Sequence, residues 1–287
     1  MSAPLPPPSS AVTFVECPRD SWQGLTRLIP TAEKVAYLTA LLNAGFDHLD
    51  LGSFVSAKAV PQLADTEAVL AELPEPDGRD YLCIVANAKG LERAATQPNV
   101  TSVGYPLSVS DAFQRRNTNR GLAESWPLVK ELRDNAADAG KRFVVYLSMG
   151  FGNPDGETWN AGVTLDAIAR LRELGVESVA IADTVGRATP ELVEEVCRAA
   201  IERFGPGGLG VHLHARPERA VSLVLAARNA GITWFEGALG GVGGCPFAGD
   251  ALVGNLPTEG VASALNLPYA QLPELARRAK ALRERYA

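Results

Sequence analysis

His212 and His214 stand two residues apart, and they are two of only three histidines in the chain. On a strand this spacing puts both side chains on one face, where imidazole nitrogens can share a cation. The same spacing would suit two core histidines satisfied by hydrogen bonds, but the place of this pair at a strand end favours a metal. Asp20 and an amide such as Asn255 could complete an N2O2 set with positions left open. Oxygen-rich ligation of that kind suits Mg²⁺ or Mn²⁺, and Zn²⁺ is also compatible.

Two further groups could act beside such an ion. Arg19 is a fixed cation that could polarise a carbonyl oxygen turning into an enolate, or could form a structural ion pair with Asp50 or Asp183. Cys245 follows the glycine run Gly240-Gly241-Val242-Gly243-Gly244 and precedes Pro246, the setting of a mobile thiol that closes over a substrate and moves a proton. The glycines could equally cradle a phosphate. Cys83 and Cys197 read as small buried residues.

These groups need a scaffold that brings distant segments to one face. Short aliphatic runs alternate with segments of helical period, the pattern of stacked βα units around a parallel sheet. Eight runs are present: VTFVEC from Val12, HLDLGSF from His48, YLCIVAN from Tyr81, SVGYPLS from Ser102, FVVYLSM from Phe143, SVAIADT from Ser178, LGVHLH from Leu209 and WFEGAL from Trp234. Their starts are roughly 32 residues apart, which is what a strand, a helix and two short loops require. Helices are expected over Ala32 to Asn43, Ala64 to Leu73, Ala123 to Ala139, Leu165 to Leu174, Pro190 to Phe204, Pro217 to Asn229 and Leu272 to Tyr286. Thr31 and Thr189 stand where N-caps belong, and Gly45, Gly140, Gly175 and Gly231 where helices stop. The predicted fold is α/β: a (β/α)8 TIM barrel with its active site at the C-terminal end of the strands. An open dinucleotide-binding sheet is disfavoured because no GxGxxG follows the first strand.

Composition agrees with one such domain. The chain has 287 residues, 46% hydrophobic and 21% charged, within the range of a single barrel. We expect residues 1–10 to be a flexible Pro/Ser-rich leader and residues 11–287 to form one TIM-barrel domain with a C-terminal helix. A net charge of −6 with no basic stripe argues against nucleic acid as a partner. No apolar run is long enough for a membrane span, and four scattered cysteines without CxxC spacing read as reduced thiols, so a cytoplasmic location is expected.

Several segments together resemble the hydroxymethylglutaryl-CoA lyases of the DRE-TIM metallolyase superfamily. VECPRDSWQG is similar to the family's VExxPRDGLQ, LDLGSFVSAKAVPQLAD to IExxSFVSPKxVPQMAD, SDAFQRRNTN to SxxFxxxNxN, VHLH to VHxH, and GGVGGCPFA to GGLGGCPYA. The resemblance runs from about Val12 to Glu259. It implies an acyl-CoA substrate, a divalent metal held by Asp20, His212, His214 and Asn255, Arg19 on the thioester carbonyl, and Cys245 as a proton carrier on a mobile loop. Asp20 joins these as a catalytic residue, Gln23, Asn117, Asp50 and Asp183 would contact or support substrate, and a homodimer or higher homo-oligomer is expected. The implied reaction is retro-Claisen cleavage of 3-hydroxy-3-methylglutaryl-CoA to acetyl-CoA and acetoacetate, a step of leucine degradation.

Three departures from the family pattern bear on these expectations. Trp22 stands where a smaller apolar residue is usual, and is expected to reshape the pocket. Ala215-Arg216-Pro217 replaces Asp-Thr-Tyr after VHLH, removing a carboxylate that could orient the imidazoles. From Cys245 to Asn255 the chain is one residue longer, with Asp250 inside, which weakens Asn255 as a ligand. A divergent branch with a different group on C3 of the acyl chain would fit. The rival readings are a Claisen-condensing acyltransferase like the isopropylmalate and homocitrate synthases, and a non-catalytic binding barrel. The first usually carries extra C-terminal domains, whereas about 25 residues follow the last barrel motif here. The second would have lost its polar strand ends.

Overall fold

In the computed structural model, which describes residues 11–243 and 253–287, eight parallel strands close into a barrel in the order of the sequence. They are β1 (Thr13–Glu16), β2 (His48–Ser53), β3 (Asp80–Ile84), β4 (Ser102–Ser108), β5 (Arg142–Ser148), β6 (Ser178–Asp183), β7 (Leu209–Leu213) and β8 (Trp234–Gly237). The helices are α1 (Pro18–Trp22), α2 (Thr31–Asn43), α3 (Thr66–Glu72), α4 (Ala88–Ala95), α5 (Asp111–Thr118), α6 (Leu122–Asp138), α7 (Ala161–Glu173), α8 (Pro190–Phe204), α9 (Pro217–Asn229), α10 (Thr258–Leu265) and α11 (Leu272–Tyr286). The expected barrel is therefore present. The leader falls outside the described residues.

Strand alternation divides the core in two. Val15, Cys17, Leu82, Ile84, Val144, Tyr146, Ala180 and Trp234 fill the barrel interior as one buried cluster. Their strand neighbours Phe14, Leu49, Tyr81, Val103, Val145, Ile181, Val211 and Phe235 belong to the larger cluster that packs against the helices. Two glycines make room for the largest interior rings. A Cβ on Gly104 would lie 2.8 Å from the Tyr146 ring, and one on Gly210 would lie 2.4 Å from the Trp234 ring. The N-terminal end of the barrel is closed by a polar plug in which Asp80 accepts from Thr101, Ser102 and Arg142.

Helices α8, α9 and α11 begin and end where the sequence places them, while the others shift by a few residues. Thr189 caps α8 by accepting from the Leu192 amide at 3.2 Å. Thr31 is not a cap: Pro30 occupies that position, and the Thr31 hydroxyl donates to Asp65 at 2.8 Å. Helices α1, α4, α5 and α10 were not expected. None exceeds eight residues, too short for a helical period to stand out.

Candidate active site

The sequence turns from β1 into α1 within two residues, because Pro18 suits a first helical position. That short turn carries Arg19, Asp20 and Gln23 to the C-terminal mouth of the barrel. Spacings of three and four residues on a helix face one another. Accordingly Arg19 Nη1 donates to Gln23 Oε1 at 3.0 Å, and Gln23 Nε2 donates to Asp20 Oδ1 at 2.5 Å.

Arg19 takes up the ion pair with Asp50 rather than with Asp183. Its Nε donates to both Asp50 oxygens at 3.1 and 3.0 Å and its Nη2 donates to Oδ2, while Nη1 reaches Asp20 Oδ1 at 3.1 Å. Burial works against charge on this guanidinium, but Asp50 and Asp20 outweigh it and hold Arg19 protonated. Burial likewise opposes charge on Asp20, and Arg19, His212 and His214 together pull its carboxyl below the usual range. The site therefore keeps an ionised carboxylate next to a fixed cation.

His212 is the penultimate residue of β7 and His214 directly follows the strand, so both rings enter the same space. Their Nε2 atoms are 3.0 Å apart, and each Nδ1 is taken by an acceptor: Glu236 Oε2 at 2.7 Å for His212, the Val253 carbonyl at 3.1 Å for His214. Acceptors at both Nδ1 atoms make those the protonated nitrogens and turn two Nε2 lone pairs toward each other, an arrangement that asks for a cation between them. Two donors bound at right angles to one ion at about 2.1 Å would be about 3 Å apart. Ligand atoms of Asp20, His212 and His214 all lie within 4.8 Å of one another. Burial and the neighbouring His212 push His214 down to about 4. Burial also disfavours charge on His212, but Glu236 and Asp20 outweigh it and raise its pKa. These residues fit a divalent cation.

Asn255 joins the cluster despite the longer loop before it. Its Nδ2 donates to Asp20 Oδ2 at 2.6 Å and to the Val242 carbonyl at 2.9 Å, leaving the amide oxygen as the atom that could face a cation. Gly243, at φ +99°, lies on this pair: a Cβ there would be 2.7 Å from Asn255 Nδ2 and 2.9 Å from the Asp20 carbonyl, so no other residue could pass so close. Cys245 and Asp250 fall outside the described residues.

A cavity opens above the cluster, lined by Arg19, Asp20, Gln23, His212 and His214 on its polar side, and by Val55, Ile84, Pro106, Phe113 and Tyr146 on its apolar side. Asn117 also lines it, as the resemblance implied. Three expectations need correction. Asp50 and Asp183 are absent from the lining: the first is covered by Arg19, and the second is spent on the backbone amides of Arg187 and Ala188 at 3.1 and 2.7 Å. Neither is placed to touch substrate. Glu16, at another strand end, turns away to Leu239 and Thr258. Trp22 does not reshape the cavity, since it is buried against Tyr37 on the far side of α1. Sequence reasoning missed Glu236 and Tyr146. The available signal was a carboxylate and a phenol inside runs that should be apolar on both faces of a parallel sheet.

The family model described as HMGL-like matches residues 12–273. The hydroxymethylglutaryl-CoA lyase of Bacillus subtilis is 30% identical over 261 residues, covering 90% of this chain and 85% of that protein. The (R)-citramalyl-CoA lyase of Chloroflexus aurantiacus is 31% identical over 271 residues, 89% of this chain and 84% of that one. A solved structure of an HMG-CoA lyase from Acinetobacter baumannii, in complex with coenzyme A and 3-methylmalate, superposes with a TM-score of 0.88 at 28% identity, over 96% of this chain and 92% of that one. No helix among the described residues is long and apolar enough to cross a membrane.

Proposed function

Because the chain belongs to the HMGL-like family and is an oxo-acid lyase acting on a CoA thioester, we propose that it cleaves 3-hydroxy-3-methylglutaryl-CoA, or a close 3-hydroxy-3-alkylglutaryl-CoA. The products would be acetyl-CoA and acetoacetate or the matching 3-oxo acid. The observation that carries this reading is the convergence of Asp20, His212 and His214 beside Arg19 at the floor of one cavity.

Asp20, His212, His214 and Asn255 would hold the cation, with Mg²⁺ or Mn²⁺ favoured by the oxygen donors. When bound, it supplies Lewis-acid polarisation of the oxygens on the hydroxy-acid end of the substrate. Asp20, held ionised beside Arg19, would receive the proton of the tertiary hydroxyl. As that proton leaves, the C3–O bond gains double-bond character and the C2–C3 bond breaks, sending its electron pair to C2. Arg19, fixed by Asp50, stabilises the thioester oxygen on which the enolate charge gathers. Cys245 then protonates C2 to give acetyl-CoA. The apolar wall of Val55, Ile84 and Phe113 excludes water from the enolate.

The 31% identity with the (R)-citramalyl-CoA lyase favours a second reading, in which the acyl group is citramalyl. A panel of 3-hydroxy-3-alkylglutaryl-CoA thioesters together with (R)-citramalyl-CoA, incubated with the purified protein and Mg²⁺ or Mn²⁺ while acetyl-CoA release is followed, separates the two. Release should be fastest from the glutaryl series and should stop on exhaustive chelation. Preference for citramalyl-CoA would give the second reading, and metal-free turnover would refute the assignment of Asp20, His212 and His214.

A further inference from the structure

The geometry points to Glu236 as the positioning residue that sets the tautomer and direction of His212. This inference rests on the metal-site reading of Asp20, His212 and His214. The imidazole of His212 has two nitrogens, and only an outside partner decides which one keeps the proton. The family-like position for a carboxylate, just after the second histidine, holds Ala215 in this chain. Glu236 reaches the same imidazole from the neighbouring strand.

The strand register produces that meeting. Val211 pairs with Phe235, so the next residue on each strand, His212 and Glu236, points into the barrel together. On the other flank Val15 pairs with Glu236, which brings the Cys17 thiol within 3.7 Å of the same oxygen that His212 meets. The Tyr146 ring packs T-shaped against the His212 ring, with centroids 5.7 Å apart, on a further side of the imidazole.

The other buried carboxylates of the barrel show what a structural role looks like. Asp183 is held by two backbone amides, Glu16 by a backbone amide and a threonine hydroxyl, and Asp50 by a guanidinium. Among the described residues Glu236 has only the imidazole and the thiol, and its Oε1 has no partner there. An interior carboxylate is costly to bury without compensation. A carboxylate kept there with one imidazole as its close partner is explained by what that imidazole does.

The test is direct binding of Mn²⁺ and Co²⁺ to the full chain, by equilibrium dialysis and by the visible absorption of the Co²⁺ form, for wild type, Glu236→Gln and Glu236→Ala. We expect the alanine variant to lose about 10- to 100-fold in affinity and to show an altered Co²⁺ spectrum, because His212 is free to turn. The glutamine variant keeps a hydrogen-bond acceptor of the same shape, so it should recover part of the affinity and the wild-type spectrum. It also keeps the test open should the alanine variant fail to fold. Affinity and spectrum unchanged in both variants, with only the melting temperature lowered, would make Glu236 purely structural and overturn the inference. A wild-type protein that binds neither ion would overturn the metal-site reading itself, and this inference with it.

Discussion

Trp22 meets Tyr37 edge-on with ring centroids 5.9 Å apart, and both rings lie on the opposite side of α1 from the cavity that Arg19, Asp20 and Gln23 line. A large residue at this position therefore fills the seam between α1 and α2 and leaves the substrate space alone. Replacing it tests that division. Trp22→Leu should lower stability in urea denaturation by about 2–4 kcal/mol through lost burial and an unfilled cavity. Its kcat and KM should stay within about twofold of wild type, and a large change in substrate preference would restore a pocket role for Trp22.

The error over Trp22 shows which parts of this protein a sequence reveals. Strands, their order and the polar groups at their ends follow from periodicity, because a parallel barrel forces alternation and puts each C-terminal end at one mouth. His212 and His214 could be paired for the same reason. Helical stretches are harder. Only the fold places Trp22 on the outer face of a five-residue helix while its neighbours Arg19 and Asp20 face inward. The Asp183 side chain turns back to cap its own loop, a matter of local backbone geometry with no sequence period. Glu236 was visible as a charge inside an apolar run, but its partner depends on the β7–β8 register, which no local pattern encodes.

Arg19 should divide into two measurable contributions, since one guanidinium serves Asp50, Asp20 and the substrate side of the cavity. Arg19→Lys keeps a charge but cannot fork to both oxygens of Asp50. We expect kcat to fall by about 10²- to 10³-fold with a much smaller change in KM, the pattern of an interaction made mainly in the transition state. Arg19→Met should in addition cost about 3–5 kcal/mol of stability, because Asp50 is left buried without its partner. Steady-state kinetics of the lysine variant decide the matter: an unchanged kcat would reduce Arg19 to an ion pair.

Glu16 should make stability fall as pH rises. Burial pushes its carboxyl up to about 8, against the hydrogen bonds from Thr258 and Leu239 and with help from the charge of Glu259. In the unfolded chain the same group titrates near 4.5. Between those values the folded protein keeps a proton that the unfolded chain has released, so the free energy of unfolding decreases with pH. The contribution is fully present below about 4.5 and is lost as pH climbs through about 8. The loss should amount to a few kcal/mol between pH 5 and 9. Glu16→Gln has nothing to ionise, so its urea midpoint should follow a flatter pH profile. Identical profiles for the two proteins would place the ionisation elsewhere.

In the proposed mechanism Cys245 would supply the remaining proton, the one that C2 of the departing acetyl-CoA enolate must gain. The stretch containing it begins and ends on the proposed metal ligands: Gly243 lies against Asp20 and Asn255, and the Val253 carbonyl accepts from His214. Within that stretch the sequence supplies only one other acid, Asp250. Cys245→Ser should therefore leave Mn²⁺ affinity and most of the thioester affinity intact, because Asp20, His212, His214 and Arg19 are untouched. Turnover should drop by about 10²- to 10⁴-fold, the usual consequence of losing a proton-transfer group. Thiol alkylation should inactivate the wild type and proceed more slowly with substrate bound. Cys17, Cys83 and Cys197 are all buried, so they should react far more slowly than a thiol that meets substrate. A serine variant that turns over at the wild-type rate would remove Cys245 from the chemistry and leave Asp250 as the acid to replace next.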